Sequence, residues 1–191
     1  MNWNWLQSLW NWACWIFRSI SRFLGALLEA PMRKVAATEI KAPGKFDGID
    51  KPSVFLAGAI DQGKAENWQE KVARALDDLD VVVLNPRRDD WDASWEQSAD
   101  NPEFRQQVEW ELSAQEKADV VIFVFTADSK APITFLEMGL FAPHKTAIVC
   151  AEEGFYRQGN LDIVCERYKI PIYHDIDEMI ADLHETLEEK L

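Results

Sequence analysis

Six consecutive apolar residues, Val120–Phe125, constrain this chain more than any other stretch. A run of that length without polar alternation reads as a strand buried on both faces. Helical periodicity precedes it over Glu103–Lys117. A second helix follows over Pro132–Ala142, its proline suited to the first turn. The same alternation runs along the rest of the chain. Strands are expected at Val54–Gly58, Val81–Leu84, Thr146–Cys150 and Ile170–Tyr173. Helices are expected at Ala65–Asp78 and Leu161–Tyr168, and Ile176, Met179, Ile180, Leu183 and Leu187 mark a closing one. Strands alternating with helices predict an α/β domain of three layers around a five-stranded parallel sheet. Ligands of such sheets bind beyond the carboxyl ends of the strands, here 58–63, 85–95 and 126–131.

The 191 residues carry a formal net charge of -13. An acidic surface repels a nucleic-acid backbone, which argues against duplex binding but not against a nucleotide-sized ligand held by a few local donors. Cys14, Cys150 and Cys165 are odd in number and lack metal spacing. No disulfide framework is expected, and a reducing, cytoplasmic setting is. His144, His174 and His184 are scattered, so neither a metal nor a cofactor is expected.

Residues 1–28 differ in kind. They contain no acid, and Arg18 and Arg22 are their only bases. Trp3, Trp5, Trp10, Trp12 and Trp15 crowd this segment. At helical spacing Trp5, Leu9, Trp12, Ile16, Ile20 and Phe23 share one apolar face, with Asn4, Gln7, Asn11, Arg18 and Arg22 opposite. Polar residues interrupt the run of about 20 apolar residues that a spanning helix needs. A secretory signal would carry its charge ahead of the apolar region rather than inside it. The segment therefore reads as an interfacial helix at a membrane surface, a self-association helix, or one that packs on its own domain. The expected organisation is an amphipathic helix over 1–29, a Pro- and Gly-bearing linker over 30–52, and a domain over 53–191.

Several residues near the strand ends can carry chemistry. Gly58 to Lys64 has the glycine and lysine spacing of a phosphate-binding loop, but Ala65 stands where a Mg²⁺-binding hydroxyl would be and Asp61 is anionic. It reads as a strand-to-helix turn, either purely structural or with amides that contact a sugar or phosphate. After the second strand come Asn85, Arg87 and Arg88, then Trp91 and Trp95. The arginines suit a phosphate, or ion pairs with Asp89, Asp90 or Asp92. The tryptophans suit base stacking or a packed flap. Glu137 lies on a largely apolar helix, where a carboxylate is costly unless paired or used. Glu111 lies on the preceding helix, eight residues before Asp119. The two glutamates together point to acid/base and nucleophilic chemistry on a sugar.

These residues resemble the nucleoside 2-deoxyribosyltransferase superfamily, including its 2'-deoxynucleoside 5'-monophosphate N-hydrolases, over about Ser53–Cys150. The resembling elements are Val54-Phe55-Leu56-Ala57-Gly58, Glu111 eight residues before Asp119, and Glu137-Met138-Gly139. Three positions depart from the family pattern. Phe55 replaces a tyrosine, Glu111 replaces an aspartate, and Ala131, with Asp128 nearby, stands where a further aspartate is usual. The resemblance implies a flavodoxin/Rossmann-like three-layer fold. It also implies a nucleoside or nucleotide ligand and a homo-oligomer. Under it, Glu137 is the nucleophile and Glu111 the acid at the leaving base. Phe55, Gly58, Asp61, Asn85, Arg87, Arg88, Trp91, Asp119 and Asp128 are then expected around the substrate. The missing tyrosine and aspartate leave a second expectation, a non-catalytic nucleotide sensor or interaction module on the same fold.

Overall fold

A computed structural model describes residues 36–60 and 67–191. The helix expected over 1–29 lies outside these residues, as do residues 61–66 with Asp61. The described residues form six parallel strands and five helices. In chain order they are β1 (Thr38–Lys41), β2 (Ser53–Gly58), α1 (Trp68–Ala75), β3 (Val82–Asn85), α2 (Pro102–Lys117), β4 (Val120–Phe125), α3 (Pro132–Phe141), β5 (Thr146–Ala151), α4 (Gln158–Tyr168), β6 (Ile172–Tyr173) and α5 (Ile176–Glu188).

The strands lie side by side as β1-β3-β2-β4-β5-β6. In register, Phe55 sits between Leu84 of β3 and Val121 of β4. The five expected strands thus follow the flavodoxin order, in which the second strand lies outside the first and the rest extend the other way. The sheet has a sixth strand where five were expected. β1 falls within residues 30–52 and pairs with β3 from Thr38↔Val82 to Lys41↔Asn85. It is four residues long, largely exposed, and carries Glu39 and Lys41. A short charged edge strand has no apolar run to announce it.

β2 and β4 are buried along nearly their whole length because helices cover both faces. On one face Phe55, Phe123, Phe125 and Val149 meet Trp110 and Ala114 of α2, Met138 of α3, and Leu161 and Cys165 of α4. On the other, Leu56, Val83, Ile122 and Ile148 meet Trp68 and Val72 of α1, Leu76 just after it, and Met179, Leu183 and Leu187 of α5. The direction of chain reversal separates β2 from β4, so their carboxyl ends flank the crevice where such sheets hold ligands.

Helix ends follow local chemistry. Asn101 caps α2 by accepting from the Phe104 amide at 3.0 Å. Asp175 caps α5 by accepting from the Asp177 and Glu178 amides. α1 stops three residues before the expected Asp78, where the amides of Leu76 and Asp77 turn to the carbonyls of Ala73 and Arg74. α3 has no side-chain cap, and Ala131 before it is left-handed at φ 44°. That conformation disfavours a Cβ.

Candidate functional site

α2 and α3 lie on the same face of the sheet and bring the two glutamates together. Gln107, Glu111 and Gln115 recur every four residues, so all three project from one side of α2. Gln115 is fully buried and donates from Nε2 to Glu137 Oε1 at 2.6 Å. The same Nε2 lies 3.4 Å from the Glu111 carbonyl. Gln107 Nε2 donates to Glu111 Oε1 and to the Pro86 carbonyl, each at 2.8 Å. A backbone carbonyl therefore fixes each amide the same way round. Both glutamates turn Oε1 to a glutamine. The Oε1 atoms of Gln107 and Gln115 are buried without a partner among the described residues.

Burial dominates the electrostatics. Glu137 is 8% exposed. Desolvation, then the charge of Glu111, pushes its carboxyl up to about 8, while the Gln115 bond pulls the other way. Desolvation raises Glu111 to about 7, opposed by its bond from Gln107. Because the charge of Glu111 acts on Glu137, the two carboxyls titrate as a pair. Both carboxyls are raised, Glu137 the more so, and once one proton has left, one group is charged while the other can donate.

The β3–α2 connection lies against this pair through Pro86. Arg88 is committed locally. Its guanidinium makes a two-pronged ion pair with Asp90 at 2.8 and 2.9 Å and lies 4.9 Å from the centre of the Trp95 ring. Trp91 meets Trp95 edge-on at 5.2 Å. Arg87 makes no ion pair among the described residues, and its buried Nη1 lacks a hydrogen-bond partner. Trp91 Nε1 is likewise buried and unpartnered. Of the two arginines, Arg87 is the one free to meet an anion.

Other expected site residues have structural tasks. Phe55 is fully buried beneath Trp110, with ring centres 6.4 Å apart, and cannot touch a ligand. Asn85 is buried and used up, donating to Glu39 and accepting from the Arg87 amide. Gly58 leaves room for Trp68, since a Cβ there would lie 2.5 Å from the indole and 2.7 Å from the Val124 carbonyl. Asp119 sits at the amino edge of the sheet, away from the ligand edge, accepting from the Ser53 amide and hydroxyl at 2.9 and 2.8 Å. It ties the starts of β2 and β4. Asp128 is exposed in the β4–α3 loop on the ligand edge. Sequence reasoning overlooked Gln107 and Gln115, although their four-residue spacing about Glu111 was visible. Among the described residues no cluster of side chains suits a metal ion. No described helix is long and apolar enough to cross a membrane.

Among curated proteins, none matches the chain. Residues 51–155 match the family described as nucleoside 2-deoxyribosyltransferase like. That stretch covers more than half the chain and contains β2 to β5, both glutamates and both clamping glutamines. The chain belongs to the nucleoside 2-deoxyribosyltransferase-like family.

Proposed function

We propose that this protein cleaves or transfers the N-glycosidic bond of a nucleoside, a nucleotide or a related ligand. The observation that carries the reading is the Glu111–Glu137 pair, Glu137 buried and Glu111 partly so, each member held by a glutamine. The pair reacts with one proton, placed on Glu111, and the carboxylate of Glu137, the more strongly raised of the two, attacks C1'. The C1'–N bond breaks with its electron pair going to the base, and Glu111 supplies the proton that the base needs. The result is a glycosyl ester on Glu137. Water, or a second base, then attacks C1'. Glu111 takes the proton released, and Glu137 departs as carboxylate with overall retention. Arg87 is the group suited to a phosphate on the sugar. Base release from a panel of nucleosides and nucleotides, compared between wild type and Glu137→Gln, tests the assignment. Equal rates in the two proteins would remove Glu137 from the mechanism.

A second reading, binding without turnover, is favoured by Phe55, which offers no hydroxyl to the site and is sealed in the core. Calorimetry with product analysis separates the two, because binding with no product after long incubation supports the sensor. The sequence pattern of residues 1–28 further supports a role in membrane or assembly targeting. Vesicle flotation and solution mass, with and without that segment, test it. No change in either measurement rejects both targeting roles.

A further inference from the structure

The helix that carries Glu111 is held by a segment far before it in the chain. Residues 38–46 comprise β1 and the turn after it, and they precede the stretch 51–155 that carries the family pattern. On one side they hold the end of β3 and the β3–α2 connection. The Ala42 amide donates to the Asn85 carbonyl at 3.0 Å, Glu39 accepts from the Asn85 side chain at 2.7 Å, and Lys41 pairs with Asp89 at 2.7 Å. On the other side they hold α2. The Gly44 carbonyl accepts from Trp110 Nε1 at 2.7 Å, and the Phe46 ring meets the indole edge-on at 5.5 Å. The Gly44 amide turns back to the Lys41 carbonyl at 2.7 Å. A Cβ on Gly44 would lie 2.6 Å from that carbonyl oxygen, so the turn that presents Gly44 to Trp110 needs glycine. Trp110 is 8% exposed and adjoins Glu111 in the chain.

Resting on the reading of Glu111 and Glu137 as the reacting pair, we propose that residues 38–46 are a strap that positions Glu111, with Trp110 as the positioning residue through which they act. Gln107 gives the strap its consequence. Its Nε2 bonds at once to Pro86 of the connection and to Glu111 of α2, each at 2.8 Å. Hydrogen bonds weaken steeply with distance and angle, so both survive only while connection and helix keep one spacing. Asn85 and Asp89 flank Pro86 on one side of that joint, and Trp110 stands beside Glu111 on the other. The strap bonds to both sides and so fixes the spacing. The indole also packs on Phe46 and Phe55, and its loosening would let water reach Glu111.

Nuclear magnetic resonance of the full chain tests the strap, with glutamate labelled at the side-chain carboxyl carbon and the Glu111 signal assigned by its loss in Glu111→Gln. Trp110→Phe keeps a ring and removes the donor. Gly44→Ala disturbs the turn and leaves the sequence of α2 intact. Leu183→Ala, which weakens the opposite layer, is the control. Burial raises the Glu111 carboxyl more than the bond from Gln107 lowers it, so water admitted by a loosened α2 brings its midpoint down. A fall of about one pH unit is expected in Trp110→Phe and in Gly44→Ala, and none in Leu183→Ala. A folded strap variant whose midpoint does not fall overturns the proposal, and so does an equal fall in the control. The titration uses no substrate, so a wild type that releases no base would count against the reaction and not against the strap.

Discussion

The two helical layers bury similar amounts of apolar side chain but for different ends. α1 and α5 meet their face of the sheet through Trp68, Val72, Met179, Leu183 and Leu187, with charged pairs such as Lys71–Asp177 left at the surface. Gln69 is the one fully buried polar side chain on α1, and neither its Nε2 nor its Oε1 has a partner among the described residues. α2 and α3 also pack on phenylalanines, yet they enclose two carboxyls and two glutamine acceptors that nothing among the described residues satisfies. Unsatisfied polar groups in a dry layer oppose folding. Both layers bury unpartnered amide atoms, and what sets the α2–α3 layer apart is the pair of raised carboxyls it holds.

The largest expected effect is on turnover. Glu137→Gln is expected to lower base release by at least about a thousandfold, since a lost nucleophile is rarely replaced. On the opposite layer, Leu183→Ala empties a fully buried site and is expected to cost about 2–5 kcal/mol in denaturant unfolding. The rate of the protein still folded is expected to stay unchanged. A drop in that rate would mean the two layers are not separable. Gln115→Leu, measured as rate against pH, is expected to slow turnover by about tenfold or more. Because the Gln115 bond favours ionised Glu137, its loss is also expected to move the acid limb of the profile upward. An unmoved limb would leave Gln115 a packing residue.

Stability against pH sharpens the contrast further. Glu111 and Glu137 have raised carboxyls, so between the unfolded value near 4.5 and about 8 the folded chain binds more protons than the unfolded one. Stability is then highest at the acid end of that window and falls as pH rises through it. Glu137→Gln should remove much of that fall and be more stable than wild type at pH 8 by upwards of about 1 kcal/mol. An unchanged slope would mean the pair is better solvated than its burial implies. The smallest effect concerns the uncapped start of α3. Ala131→Gly relieves the left-handed φ of 44° against greater chain freedom, for a net gain of up to about 1 kcal/mol in melting experiments.

The elements visible in the sequence were those with strong local signals. Val120–Phe125 announced its burial by continuous apolarity, and Pro132 announced the start of α3. Glu137 stood out because its neighbours on the helix are apolar. β1 stayed hidden because an edge strand with charged residues needs a partner, not a pattern. Phe55 and Asp119 were expected at the site from the family resemblance, and Asn85 from its place at a strand's carboxyl end. Packing against Trp110, a bond to Glu39 and a tie to Ser53 instead committed them to holding the fold.

The sequence by itself determined the alternating strands and helices, the parallel sheet and the unusual standing of Glu137, because apolar periodicity and a costly buried charge are local properties. Only the tertiary structure decided that Glu111 and Glu137, 26 residues apart, come close enough for their charges to interact, with Gln107 bonded to one and Gln115 to the other. It also decided that Arg88 is neutralised while Arg87 is left open, and that Trp110 is tied to Gly44. Those outcomes depend on which side chains meet across distant segments, and no local pattern records such meetings.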